Sequence, residues 1–116
     1  MHALTMLHRI LAGSYPEIHL KRLTSLLAAF EAVVSGSRVA LSDLGRGLRG
    51  RVAVKHNIKR VDRLLGNCAL HAEAPGLYEV LVRQCLAGVA TPLILVDWSD
   101  ISPDRRWQLL RASQML

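Results

Sequence analysis

The chain has 116 residues, 51% of them hydrophobic and 21% charged, which excludes intrinsic disorder and is enough for a buried core without disulfide staples. Fifteen Lys and Arg against nine Asp and Glu give a net charge of +6, a balance that calls for a polyanionic partner, nucleic acid before a membrane surface. The two cysteines, Cys68 and Cys85, form neither a CxxC nor a Cys/His cluster, which argues against a zinc site and a secreted disulfide framework and for a reduced, cytoplasmic setting.

In chain order, the spacing of Leu4, Leu7, His8 and Leu11 predicts a helix over residues 3–11, ended by Gly13-Ser14-Tyr15-Pro16. His8, on that apolar face, reads as a packed histidine. A second helix over 17–34 repeats Leu20, Leu23, Leu27, Phe30 and Val34 in one apolar stripe. Ser35-Gly36-Ser37 breaks it, with Gly36 free to take positive φ. Ser42 is a suitable N-cap for a short helix over 43–48, with Asp43 at its positive end. Gly45, Gly47 and Gly50 weaken helicity there and permit a tight turn. They also spell GxGxxG, but without a preceding strand or a following acidic residue at the right distance, so no phosphate loop is expected.

A longer helix over 52–65 would bury Val54, Ile58, Val61 and Leu65, turn Lys55, Lys59, Asp62 and Arg63 outward, and close on Gly66-Asn67. Pro75-Gly76 then opens a helix to Leu86, buried through Leu77, Val80, Leu81 and Cys85. After that the pattern changes. Residues 92–97 are apolar on both faces until Asp97, the composition of a strand in the middle of a sheet. A turn over 98–104, packed by Trp98 and Trp107, leads to a possible second strand over 107–112. The chain is therefore expected to be mostly α, with a helical domain over 1–88 and the start of a second, sheet-containing domain over 89–116. Ending at Gln114-Met115-Leu116, it is expected to be a fragment cut inside that second domain. The longest uncharged apolar stretch, 86–96, is too short to span a bilayer, and the N-terminus has no signal-peptide pattern.

The excess charge is local. Between Arg38 and Arg63 stand eight basic residues against Asp43 and Asp62, and that excess of six equals the net charge of the whole chain. A solvated basic helix face is the plain alternative, but such faces ordinarily interleave acids. A short helix, a glycine-containing turn and a longer basic helix have the order and lengths of a helix-turn-helix, a pattern that a simple helical hairpin shares. In it Lys55, Lys59 and Arg63, one turn apart, can reach phosphates or guanine edges, and His56 and Asn57 lie where base contacts are usual. Arg46, Arg49, Arg51 and Arg60 complete the expected DNA-binding set. The basic helix has no Trp or Phe on its apolar face, so a membrane-surface role is not expected. Asp97, at the end of an apolar strand, is placed as divalent-metal ligands often are, although strand-end Asp residues more often serve turns. Asp100 has the wrong strand parity to join it.

Several strings occur in a familiar order: Ile18-His19-Leu20-Lys21-Arg22-Leu23, Leu44-Gly45-Arg46, KHNIKRVDRLLGN from Lys55 to Asn67, LVDWSD from Leu95 to Asp100, and Leu110-Arg111-Ala112-Ser113. Together they closely resemble the N-terminal part of DDE transposases of the insertion-sequence 4 family. The resemblance implies that the helical part binds double-stranded DNA at the terminal inverted repeats of the element, in the bacterial nucleoid. It also implies that a ribonuclease H-like α/β domain follows, with Asp97 as the first catalytic and metal-binding carboxylate of a triad. In the family, two Mg²⁺ ions held by that triad carry out phosphoryl transfer. The second Asp and the Glu have no counterpart here, so this chain is expected not to bind Mg²⁺ tightly and not to cut or join DNA by itself. Association with a full-length transposase is a further expected partnership. The competing reading is a stand-alone DNA-binding regulator derived from a transposase, which occupies transposon ends.

Overall fold

The computed structural model describes residues 2–115. The chain is mostly helical, with a two-stranded antiparallel sheet near its C-terminus. It forms two compact units, Met1–Val82 and Arg83–Leu116. Among the described residues the helices are α1 (His2–Ser14), α2 (Leu20–Gly36), α3 (Leu41–Gly47), α4 (Val54–Leu65) and α5 (Cys68–Cys85), whose last turn belongs to the second unit.

In the first unit α2 is the central helix. Its first half buries Leu23 and Leu27 in a core shared with Leu11 of α1, Ile18, Leu64 of α4, and Leu70 and Leu77 of α5. Its second half buries Ala32 against Leu44 of α3 and Val61 of α4. The expected stripe is therefore only partly buried: Leu20, at the first turn, is exposed, and so are Phe30 and Val34, because the second half of α2 turns Ala29, Ala32 and Val33 inward instead. A salt bridge from the Arg22 guanidinium to the Glu73 carboxylate ties α2 to α5. Gly36 stays helical, and Ser37 takes the left-handed conformation instead, at φ 53, with its N–H donating to Val33 O.

Small residues set the position of α3. A Cβ on Gly45 would lie 2.4 Å from Ile58 Cγ1 and 2.7 Å from Ile58 Cα, and one on Gly47 would lie 2.8 Å from the Cβ of Ala32. Both glycines are helical, so here they serve close packing, and only Gly50, at φ 123, serves the turn. Ser42 lies inside α3; Ala40 precedes the helix and makes no side-chain cap. In α4, Val61 and Leu64 are buried as an apolar edge, while Val54 and Leu65 are exposed. Helix α5 begins earlier than Pro75: the Asn67 Oδ1 accepts the Leu70 N–H at 3.0 Å and caps its first turn, and the helix runs through Pro75. Cys85 and Cys68 are both exposed thiols, so Cys85 is not a core residue; Leu81 is also exposed.

In the second unit β1 (Ile94–Asp100) pairs with β2 (Gln108–Gln114) in the register Ile94↔Gln114, Asp97↔Arg111 and Asp100↔Gln108. By strand parity one face carries Ile94, Val96, Trp98 and Asp100 opposite Gln114, Ala112, Leu110 and Gln108, and the other carries Leu95, Asp97 and Ser99 opposite Ser113, Arg111 and Leu109. The expected two-sided burial of this strand is not observed. Both faces mix apolar and polar side chains, and nearly every residue of the pair is exposed. Val96 is 62% exposed and Trp98 63% exposed. Trp107 is exposed too, so the two indoles do not pack the turn, which occupies 101–107.

The α3 contacts yield a sharp expectation. Gly45→Ala drives a methyl into the Ile58 backbone, which no rotamer change relieves, and should cost about 1–3 kcal/mol of stability in urea unfolding. Gly13→Ala, with nothing within 4 Å, should instead be neutral or stabilising by up to about 1 kcal/mol. Equal effects of the two substitutions would contradict the wedge role of Gly45.

Candidate nucleic-acid interface

Helix α3 leads to α4 through the turn 48–53 and packs against it through Gly45 and Ile58. Ala53 is extended, at φ −58 and ψ 141, and its carbonyl accepts the N–H groups of His56 and Asn57, which starts α4. From there each residue advances about 100° around the axis. Asn57, Val61 and Leu64 lie on the buried side, and Ile58 is half-buried against α3. That rotation leaves Lys55, His56, Lys59, Arg60 and Arg63 exposed, with Asp62 among them.

The cations divide by whether a carboxylate holds them. Asp43 pairs with Arg46 at 3.3 Å and with Arg38 at 3.9 Å. Glu31 of α2 pairs with Arg49 at 3.1 Å. Arg51, Lys55, Lys59 and Arg63 have no ion-pair partner among the described residues. The outward side of α4 is thus the least neutralised part of the unit. Of the nine residues expected to bind DNA, eight are exposed. The exception is Asn57, which is only 3% exposed and accepts from Arg60 Nη1 at 3.4 Å. This corrects its expected role: a side chain buried toward the core cannot reach a base edge.

Sequence reasoning missed Lys21 and His19. An open cleft of about 350 Å³ lies between the start of α2 and the second half of α4, lined by His19, Lys21, Arg22, Ser25, Arg60 and Arg63. The residues of α2 precede Arg60 by about forty positions, so no local pattern could bring them together. The only sequence signal for them is the string from Ile18 to Leu23.

Asp97 stands apart, in the second unit. Its Oδ2 lies 3.5 Å from Arg111 Nη2 across the strand pair and accepts from Ser99 Oγ at 3.5 Å. Asp100, on the opposite face, accepts from Gln108 Nε2 at 2.8 Å and pairs with Arg105 at 3.4 Å. Asp104 is engaged in the turn: the Ser102 hydroxyl and then the Arg106 N–H donate to it and hold its carboxyl below the usual carboxylate range. Among the described residues no three His, Cys, Asp or Glu side chains group as metal ligands. One carboxylate facing a guanidinium does not fit a Mg²⁺ site. No helix among the described residues is by itself long and apolar enough to cross a membrane. Comparison of the chain with family models, curated proteins and solved structures finds no match.

The burial of Asn57 is testable. Asn57→Ala should destabilise the chain by about 1–3 kcal/mol, because it removes buried side-chain volume and leaves a cavity. Lys59→Ala, on the outward side, should stay within about 0.5 kcal/mol. Thermal unfolding of both variants separates the two roles, and a silent Asn57→Ala would return Asn57 to the surface.

Proposed function

We propose that the helical unit binds double-stranded DNA through α3 and α4 acting as a helix-turn-helix, with α4 seated in the major groove. The observation that carries this reading is the outward side of α4, where Lys55, Lys59 and Arg63 stand one turn apart with no carboxylate holding them. A twelve-residue helix is about 18 Å long, and a major groove about 12 Å wide admits it. His56, near the start of α4, is placed for base contact, while Arg46, Arg49 and Arg51 border the turn and suit the sugar–phosphate backbone. The turn 48–53 is longer than the usual three or four residues, and Gly50 absorbs its bend.

The resemblance of the strings HNIKR-x-DRLLGN and VDWSD supports a narrower reading. In it the DNA is the terminal inverted repeat of an insertion sequence, and the chain is the end-binding part of a DDE transposase in the bacterial nucleoid. The hairpin then holds Asp97, the first acidic residue of a ribonuclease H-like catalytic domain. Mg²⁺-dependent strand cleavage and joining belong to that complete domain, and a full-length transposase is a natural partner for this chain.

Binding to duplex DNA should follow the counterion law. With about five phosphates neutralised, log K against log salt should slope at about −4 to −5. The triple variant Lys55→Glu, Lys59→Glu, Arg63→Glu should lose binding in a gel-shift titration while it keeps its helical circular dichroism. Asp97→Asn should bind as the intact chain does. Undiminished affinity of the folded triple variant would overturn the reading.

A further inference from the structure

We propose that the cleft between α2 and α4 is a phosphodiester-binding subsite, which holds the DNA backbone beside the groove that α4 enters. The proposal rests on the DNA-binding reading of α4 and adds the strand contact that would fix its register. Three observations carry it.

The first is the composition of the cleft. Its lining contains Lys21, Arg22, Arg60 and Arg63 and no Asp or Glu. Arg22 is held by Glu73, which lies outside that lining, and Arg60 bonds only to Asn57 Oδ1, so Lys21, Arg60 and Arg63 keep their charge uncompensated. Three such cations gathered along one open cleft raise the local potential more than the same charges scattered over the surface. The second is direction. Going around α4 at about 100° per residue, Arg63 and then Arg60 follow Lys59 toward the side that α2 occupies. A helix whose Lys55 and Lys59 enter the groove therefore carries Arg63 and Arg60 toward the backbone that borders it, where contacts position the protein and do not read sequence. The third is the end of α2 itself. His19 caps it without a side-chain hydrogen bond, and the helix's partial positive charge adds to Lys21 at the cleft.

The test uses the full chain and a duplex of mixed sequence, with affinity read by fluorescence anisotropy over a salt series. Lys21→Ala should bind roughly three- to tenfold more weakly on every sequence, with a salt slope shallower by about 0.9, the signature of one lost phosphate contact. Lys21→Arg should restore the intact slope. Arg9→Ala, a cation exposed on α1 outside the cleft, should change nothing. An unchanged slope and affinity for Lys21→Ala overturns the subsite, and leaves the α4 reading standing if the triple Glu variant still fails to bind. Inorganic phosphate separates a free-anion site from a backbone contact. Phosphate binding that Lys21→Ala abolishes, with duplex affinity intact, would also overturn the proposal. If the intact chain binds no duplex at all, the α4 reading fails and the subsite fails with it.

Discussion

The arrangement of the helical unit depends on how closely α3 can approach its two neighbours. Gly45 lies against the backbone of Ile58 in α4, and Gly47 against Ala32 in α2, at separations that leave no room for a methyl group. A helix of seven residues has little intrinsic stability, so packing and not propensity must hold it. Its glycines are costly in a helix by propensity, yet they let α3 touch α2 and α4 at once. That contact places Ala32, Leu44 and Val61 in one small core and fixes the rotation of α4 about its axis. Rotation then decides function, because it determines which side chains of a strongly basic helix meet solvent.

Electrostatics follows from the same placement. The acids nearest the basic segment serve α3 and the turn: Asp43 with Arg38 and Arg46, and Glu31 with Arg49. These exposed pairs contribute little to stability individually. Their consequence is spatial, since positive charge is muted around α3 and left uncompensated along α4 and the start of α2. The partly buried Arg22–Glu73 pair, by contrast, couples α2 to α5 and keeps Arg22 oriented beside its free neighbour Lys21. A field concentrated this way favours a linear polyanion such as duplex DNA.

Much of this was legible in the sequence, and the gaps have physical causes. Helices α1, α2 and α4 are visible through apolar spacing and the cation cluster through simple counting, whereas α3 is legible only through a cap signal at Ser42, a residue that lies inside the helix. The burial of α2 is not legible because Ala29 and Ala32 carry a weak hydrophobic signal, whereas close approach buries them and leaves Phe30 and Val34 outside. The burial of Asn57 is not legible either, because a polar residue near the start of a basic helix resembles a base reader until the helix's rotation is known. Pro75 resembled a helix start, but Asn67 had already capped α5, with Gly76 packed under Tyr15. The apolar run ahead of Asp97 resembles a central strand, but among the described residues β1 has β2 as its single neighbour and its apolar side chains stay exposed. The cleft had no sequence signature of its own, because it joins residues from two distant helices.

The most direct measurement of the central claim is an amide chemical-shift map of the isotope-labelled chain during titration with duplex DNA. The account predicts shifts along α4 from Lys55 to Arg63, in the turn around Gly50 and at Lys21, with α1 and the hairpin of β1 and β2 unmoved. Shifts confined to the hairpin, or spread evenly over every exposed cation, would contradict it.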